Sequence, residues 1–461
     1  MVMDIERLVQ QPEGKTLEFK RDLSSLSPIL KTLVAFANTA GGTVIVGRDD
    51  EGKIVGVEEV FEAEERLASV IADSIVPLLR VDIEVVSVKE KALLLIKVPH
   101  WLGPFYLKAK GPTEGVFIRL GSTNRIAHKE FLEELQRSKT QVAFDQLPCP
   151  EVDISGLDTE KITQIFAKIG KKIDKNKLVG LGILVPYQST YVCSNGGVIL
   201  FGKESVRERF FPNSIVRCAR FLGVEKTEFL DQHDTRGSIV EAVKEVVAFI
   251  KRNTRMASKI ETIQREDIPE YSSVVVREVL TNALVHADYA IKDMQPRVMI
   301  FSDRMEIESP GMFPLGYTLE EFMAGMSRVR NKVISRVFRE LHMMEAWGTG
   351  YKRISAACNQ GRYPMPTWTE LSSAIKVSLP SHFEVSGGME RSPVIKSTLT
   401  SRQEEIVALF NEGESMTTKE MFVRLEKNIS ERTLRADLAE LKAKGIMKMV
   451  GSGPNTEWRL A

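Results

Sequence analysis

The chain has 461 residues, too many for one hydrophobic core and enough for about three domains. Its 43% hydrophobic and 27% charged content describes an ordinary globular protein, and a net charge of +1 excludes a global basic field for nucleic acid. No uncharged apolar run reaches membrane-spanning length, and Cys149, Cys193, Cys218 and Cys358 are scattered without metal-like pairing. With no secretory signal at the N-terminus, the expectation is a soluble cytoplasmic protein with reduced thiols.

Thr16–Lys20 alternates as a strand, with Leu17 and Phe19 on one face and Glu18 and Lys20 on the other. Ser27 and Pro28 open a helix whose apolar stripe is Ile29, Leu30, Leu33, Val34 and Ala37. A glycine in Asn38-Thr39-Ala40-Gly41-Gly42 ends it, Thr43–Gly47 follows as a buried strand, and Asp49-Asp50-Glu51-Gly52 turns the chain. The order EGKTLEFK, AFANTAGGTVIVG, acidic turn, with Pro104-Phe105-Tyr106 and VFIRLGST beyond, resembles the divergent AlbA domain, which is also the Schlafen-type core. The resemblance covers most of residues 10–135 and implies an α/β domain over 1–140.

In Schlafen-like nucleases, two glutamates five apart and an acid beyond the glycine-rich turn carry the metal site. By that resemblance Glu13, Glu18 and Asp49 are the candidate catalytic residues for cleavage of RNA or single-stranded DNA with manganese or magnesium. The same residues also read as structure, Glu18 pairing with Lys20 or Arg21 and Asp49 making a turn. A binding role rests on residues 97–139, where eight Lys/Arg face four acids and Trp101, Phe105, Tyr106 and Phe117 are interleaved. Such a surface suits a phosphate backbone with stacked bases, and Lys108, Lys110, Arg119 and Arg125 are its expected contacts.

The middle of the chain, 149–269, specifies no chemistry. It reads as a helix near Thr159–Ile169, strands at Val198–Phe201 and Ser214–Leu222, and a capped helix at Ser238–Arg252. A helix from about Ser273 then places Glu278, Asn282 and His286 four apart on one face, with Val275, Val279 and Ala283 on an adjoining stripe. Arg297–Asp303 and Arg304–Glu308 read as a hairpin.

These segments, with Glu308-Ser309-Pro310-Gly311, Ser327–Asn331 (SRVRN) and Gly348-Thr349-Gly350, resemble the divergent GHKL ATPase domain of helicase-like bacterial regulators. The resemblance implies a GHKL-like α/β sandwich over 141–385 that binds ATP. Asn282 would hold magnesium, Glu278 would orient water, and Gly348 and Gly350 would cover phosphate. Ser309 stands where ordinary members carry an Asp that recognises the adenine amino group, with Gly311 among the glycines after it. The alternative is a degenerate pocket kept as a packing or dimerisation unit.

Residues 386–399 are rich in breakers and read as a linker. Beyond them, helices at Ser401–Asn411, Thr417–Leu425 and Ser430–Gly445, then a hairpin of Ile446–Val450 and Thr456–Leu460, look like a winged helix over 400–461. Arg432, Thr433 and Arg435 lie in the first turns of the third helix, where base edges are read, and Lys444 would hold the backbone. Ten basic and ten acidic residues leave the module neutral, so protein docking remains open. The whole is expected to be an α+β multidomain, homo-oligomeric regulator of transcription that binds double-stranded DNA. A nuclease acting on RNA or single-stranded DNA, with a role in defence, is the alternative.

Overall fold

In a computed structural model the described residues are 5–260, 265–345, 349–383, 403, 406, 409–410, 415–425, 431–443, 447–450 and 457–460. The chain divides into two units, Met1–Val385 and Ser386–Ala461.

The first unit begins with a four-stranded sheet ordered Leu17–Lys20, Gly42–Val46, Lys91–Val98, Asp82–Val88, its first pair parallel and the others antiparallel. Alternation decides what each face buries. Leu17, Phe19, Ile45, Leu93 and Leu95 pack with Val9 on one side. Val44, Val46, Leu94 and Ile96 pack on the other against helices Leu26–Asn38 and Val60–Ser74. The first of these helices starts at Leu26, a little earlier than its Ser-Pro pair suggests, and Ser25 makes no side-chain cap. Gly41 takes φ +76°, the left-handed turn expected after Asn38.

A larger six-stranded sheet follows, ordered Phe229–Asp234, Arg217–Phe221, Arg297–Ile300, Arg304–Pro310, Ala374–Pro380, Thr367–Glu370. Only the Arg217–Phe221 and Arg297–Ile300 neighbours run parallel. Helices Ile239–Asn253, Ser273–Val285, Lys332–Glu340 and Gly350–Gly361 contribute to the core on one face of this sheet, with Val298, Ile300, Met305, Ile307, Val377 and Leu379 on the sheet side. The expected strand at Val198–Phe201 is instead the end of a helix, Asn195–Phe201, every residue of which is buried. A short apolar run buried all round carries no period to tell strand from helix. The Ser194 hydroxyl, which accepts from the Gly197 amide, fixes the outcome.

Three buried polar side chains tie this domain together. Asp145 accepts from the amides of Lys332, Val333 and Ile334 at 3.0, 2.6 and 2.9 Å, capping the Lys332–Glu340 helix from a remote segment. Arg207 donates to the carbonyls of Gly202, Gly237 and Arg236 at 3.0, 2.7 and 2.8 Å. Asn331 donates to Val285 and Ala287 at 2.9 and 2.7 Å, holding the exit of the Ser273–Val285 helix.

The two sheets belong to one unit, and their joint is polar as well as apolar. Arg330 reaches Glu134 at 2.6 Å and Asp288 at 3.2 Å. Lys15 reaches Glu370 at 2.7 Å. Met312 packs in one buried cluster with Val116, Ile118, Ala127, Phe131 and Leu135.

In the second unit, the helix Thr418–Arg424 is capped by a Thr417/Glu420 box. The helix Glu431–Ala443 buries Leu434, Leu438 and Leu441 with Ile406, Phe410 and Met421. Met447–Val450 and Glu457–Leu460 pair antiparallel as expected, and Ser415–Thr417 adds a third strand on the outside of Glu457–Leu460. Ser430 and most of 401–411 lie outside the described residues.

Burial pushes the Asp145 carboxyl up to about 6, against the pull of its three amide donors. Because its folded value lies above the ordinary one, the protonation-linked part of its contribution is fully present below about pH 4 and is lost as pH rises through 6, while the three amide bonds remain. Asp145→Ala should destabilise the first unit by about 2 kcal/mol at pH 7.5 through the uncapped helix. Asp145→Asn should flatten the pH 5 to 7.5 change in unfolding midpoint; an unaltered pH slope in thermal unfolding of the variant would refute this.

Candidate functional site

The Ser273–Val285 helix sets Glu278 and Asn282 side by side, His286 follows at its C-terminal end, and all three line one partly open cavity. Ile307, Ser309, Ile375 and Val377 of the sheet form its floor. The loop after Pro310 supplies Met312, Phe313, Pro314 and Tyr317, and Thr349 and Gly350 stand beside the helix pair. Gly350 leaves the Glu278 carboxylate its present place, since a Cβ there would come 2.7 Å from the movable Glu278 Oε1, with Asn282 Nδ2 at 3.5 Å. Gly348 lies outside the described residues.

Charge in the cavity is largely committed. Glu278 lies 3.5 Å from Arg353, which also meets Glu345 at 3.1 Å. Burial raises the Glu278 carboxyl, with Arg353 opposing. Burial, helped by Arg330, pushes His286 down to about 4, so its ring is neutral at physiological pH. Ser309 donates its hydroxyl proton to the Ala283 carbonyl at 2.7 Å, so any further bond it makes is as an acceptor.

Gly311 is a correction. It takes φ +90°, its amide donates to Ser373 at 2.7 Å, and a Cβ would come 2.7 Å from Asp288 Cβ. It therefore shapes a turn against Asp288 and is absent from the residues lining the cavity. Within SRVRN, Ser327 and Arg328 line the cavity, whereas Arg330 and Asn331 hold the fold. Sequence alone does not reveal the aromatic wall of Phe313, Tyr317, Phe322 and Trp368. Phe313 and Tyr317 come from one loop, Phe322 from the short helix Leu319–Met323 and Trp368 from an edge strand, so no single element betrays them.

The acidic trio of the N-terminal domain is dispersed into structural duties. Glu13 accepts from the Phe19 amide at 2.9 Å, and Asp49 from the Lys53 amide at 2.8 Å in the acidic turn. Glu18 is buried between Lys20 and Arg119, the latter 2.5 Å away. Among the described residues no group of three or more His, Cys, Asp or Glu could hold a metal ion.

Arg119 is the second correction, for it is 1% exposed rather than on a nucleic-acid face. Beyond Glu18 it donates to Gly14 and Asn124 at 3.0 Å each and lies over the Phe36 ring. Phe105 and Phe117 are core residues, while Trp101 is partly exposed. Lys108, Lys110 and Arg125 remain on the surface, with Lys110 over Phe117 at 5.5 Å. In the second unit, Arg432 and Arg435 fall on the Glu431–Ala443 helix, their side chains outside the described set, and Thr433 is half-buried. Lys444 also lies outside it, and Lys442 and Lys448 are exposed.

A helix and cavity over a mixed sheet, a four-stranded α/β domain in the same unit, and a three-stranded wing with its helices define a modular protein of three domain types. Comparison with known families agrees, domain by domain. Residues 13–128 match "Schlafen, AlbA_2", 293–379 match "Putative ATP-dependent DNA helicase recG C-terminal", and 402–453 match "DeoR-like helix-turn-helix domain". The chain thus carries an AlbA/Schlafen-like domain, a HATPase-type domain and a DeoR-like helix-turn-helix, in that order. Among solved structures, the DIP2311 protein from Corynebacterium diphtheriae is 15% identical over 100% of this chain and 99% of its own, with a TM-score of 0.42. The N-terminal domain of a RecG-related protein from Nitrosomonas europaea is 28% identical over 27% of this chain and 91% of its own, with a TM-score of 0.22. No curated protein matches the chain.

Breaking a buried ion pair by removing one partner leaves an uncompensated charge, which costs about 3 kcal/mol or more. Arg119→Ala should therefore lower the unfolding free energy by roughly that amount, while Lys108→Ala with Lys110→Ala leaves it within about 0.5 kcal/mol. Chemical denaturation of the three proteins checks this; equal stability of Arg119→Ala and wild type would show that the pair is not structural.

Proposed function

We propose that this protein is a DNA-binding transcriptional regulator whose winged helix contacts duplex DNA and whose central cavity takes an adenine nucleotide with magnesium. The observation that carries the reading is the Glu431–Ala443 helix packed beside the Met447–Val450/Glu457–Leu460 wing in a segment that matches a DeoR-like helix-turn-helix domain. In this reading the first turns of the helix, where Arg432, Thr433 and Arg435 fall in the sequence, enter the major groove, and wing and flanking lysines meet phosphates.

The nucleotide half of the reading draws on Glu278 and Asn282 lining one partly open cavity, with Gly350 beside both. Asn282 Oδ1 is the group suited to hold magnesium, Glu278 to orient water, and Ser309 to accept from a base amino group. The aromatic wall gives a flat base surfaces to stack on. One neutral winged helix binds DNA modestly, so pairing of copies would add effective concentration and fix half-site spacing. The exposed Lys108, Lys110 and Arg125 give the N-terminal domain a surface for a second, sequence-independent contact with a strand.

Fluorescence anisotropy with labelled duplexes tests the first half. Binding should weaken at least tenfold between 50 and 200 mM salt, and should fall to the non-specific level once residues 393–461 are removed. Undiminished duplex affinity in the truncated chain would reject the winged helix as the reader. For the second half, saturating ATP with magnesium should raise the unfolding midpoint by about 3 °C, and Asn282→Ala should abolish the shift. An equal shift in wild type and Asn282→Ala would place the nucleotide elsewhere.

A further inference from the structure

The cavity of the central domain is closed on one side by a short loop, Met312 to Tyr317, which the N-terminal domain holds from behind. Met312, Phe313, Pro314 and Tyr317 line the cavity. The same loop makes four contacts across the domain joint. Met312 and Leu315 pack with Val116, Ile118, Ala127, Phe131 and Leu135 of the N-terminal domain. The Gly316 amide donates to the Thr39 carbonyl at 2.6 Å. Gly316 lies so close to His100 that even a Cβ would collide with the imidazole. The Phe313 amide donates at 2.9 Å to Glu370, which holds Lys15 at 2.7 Å, and the Lys15 ammonium sits 5.6 Å over the Phe313 ring.

We infer that the N-terminal domain reads the occupancy of this cavity: a flat aromatic ligand stacked on the wall at Phe313 and Tyr317 is felt at Lys15 and Thr39. This rests on the nucleotide reading of the cavity given above. Phe313 is packed edge-on against Tyr317, with centroids 5.9 Å apart, and faces Phe322 at 6.4 Å, which in turn meets Trp368 at 5.4 Å. A ring entering that cluster must repack Phe313, and close-packed surroundings pass on such a shift. Behind the wall, Thr39 also accepts the Arg119 amide through its hydroxyl at 2.9 Å, and Arg119 holds Gly14, the neighbour of Lys15. The wall is therefore bonded to the strand Phe117–Leu120, whose hairpin partner Thr123–Ile126 carries the exposed Arg125. By linkage, whatever the ligand does to the N-terminal domain, that domain's own ligand does in equal measure to the cavity.

Hydrogen exchange of the full chain, with and without adenylyl imidodiphosphate and magnesium, tests the inference. Exchange should slow at least fivefold in the 273–285 helix and also in segments 33–41 and 116–120. In Lys15→Ala and in Glu370→Gln, neither of which lines the cavity, protection of 273–285 should persist while that of the two N-terminal segments drops at least threefold. Protection confined to 273–285 in the wild type overturns the inference, as does N-terminal protection that survives both substitutions. Failure of the analogue to protect 273–285 at all instead rejects the nucleotide reading, and this inference with it.

Discussion

The arrangement of the first unit depends on one buried guanidinium. Arg330, 8% exposed at its side chain, is held by Glu134 of the N-terminal domain, by Asp288 beyond the Ser273–Val285 helix, and by the Met312 carbonyl at 2.6 Å. A lone buried cation is intolerable, so each partner is required by the others. Burial raises the Glu134 carboxyl, and the cation beside it opposes that rise. The bond to Met312 closes the loop from 312 to 330 at its base, and that loop supplies much of the cavity wall. Joint and cavity are thus consequences of the same ion cluster.

Glycines complete the arrangement where neighbouring atoms approach closely. Gly350 lets the Gly350–Gly361 helix begin against Glu278 and Asn282, Gly311 lets the chain turn over Asp288, and Gly316 lets the loop meet His100. Two of these glycines sit at positive φ, +90° for Gly311 and +69° for Gly316, so backbone freedom and lack of bulk are both in use. Only Gly350 belongs to the cavity lining.

Legibility in the sequence follows locality. The Ser273–Val285 helix and its four-residue spacing, the 297–310 hairpin, the Ser238-capped helix and the wing hairpin are all readable because their signals lie within one element. Misreadings arise where the deciding partner is remote in sequence. Arg119 reads as a surface cation in a basic stretch, and nothing local announces that Glu18, about a hundred residues earlier, waits beneath it. SRVRN reads as a motif of a nucleotide site, yet Arg330 and Asn331 spend their donors on the fold. The aromatic wall is assembled from a loop, the short helix Leu319–Met323 and the edge strand Thr367–Glu370, and leaves no periodic trace.

The same remoteness bears on what the N-terminal glutamates are for. Glu18 has the five-residue spacing from Glu13 on which a metal-site reading depends, but its carboxylate is shared between Arg119 and Lys20. A divalent ion would have to displace a guanidinium that is itself buried and, among the described residues, paired with no other carboxylate, and the displaced charge would remain in the interior at a cost of several kcal/mol. Arg119 in turn braces Gly14 and, through Thr39, the loop that closes the central cavity. The pair therefore belongs to the scaffold that joins the two domains and braces the loop lining the central cavity.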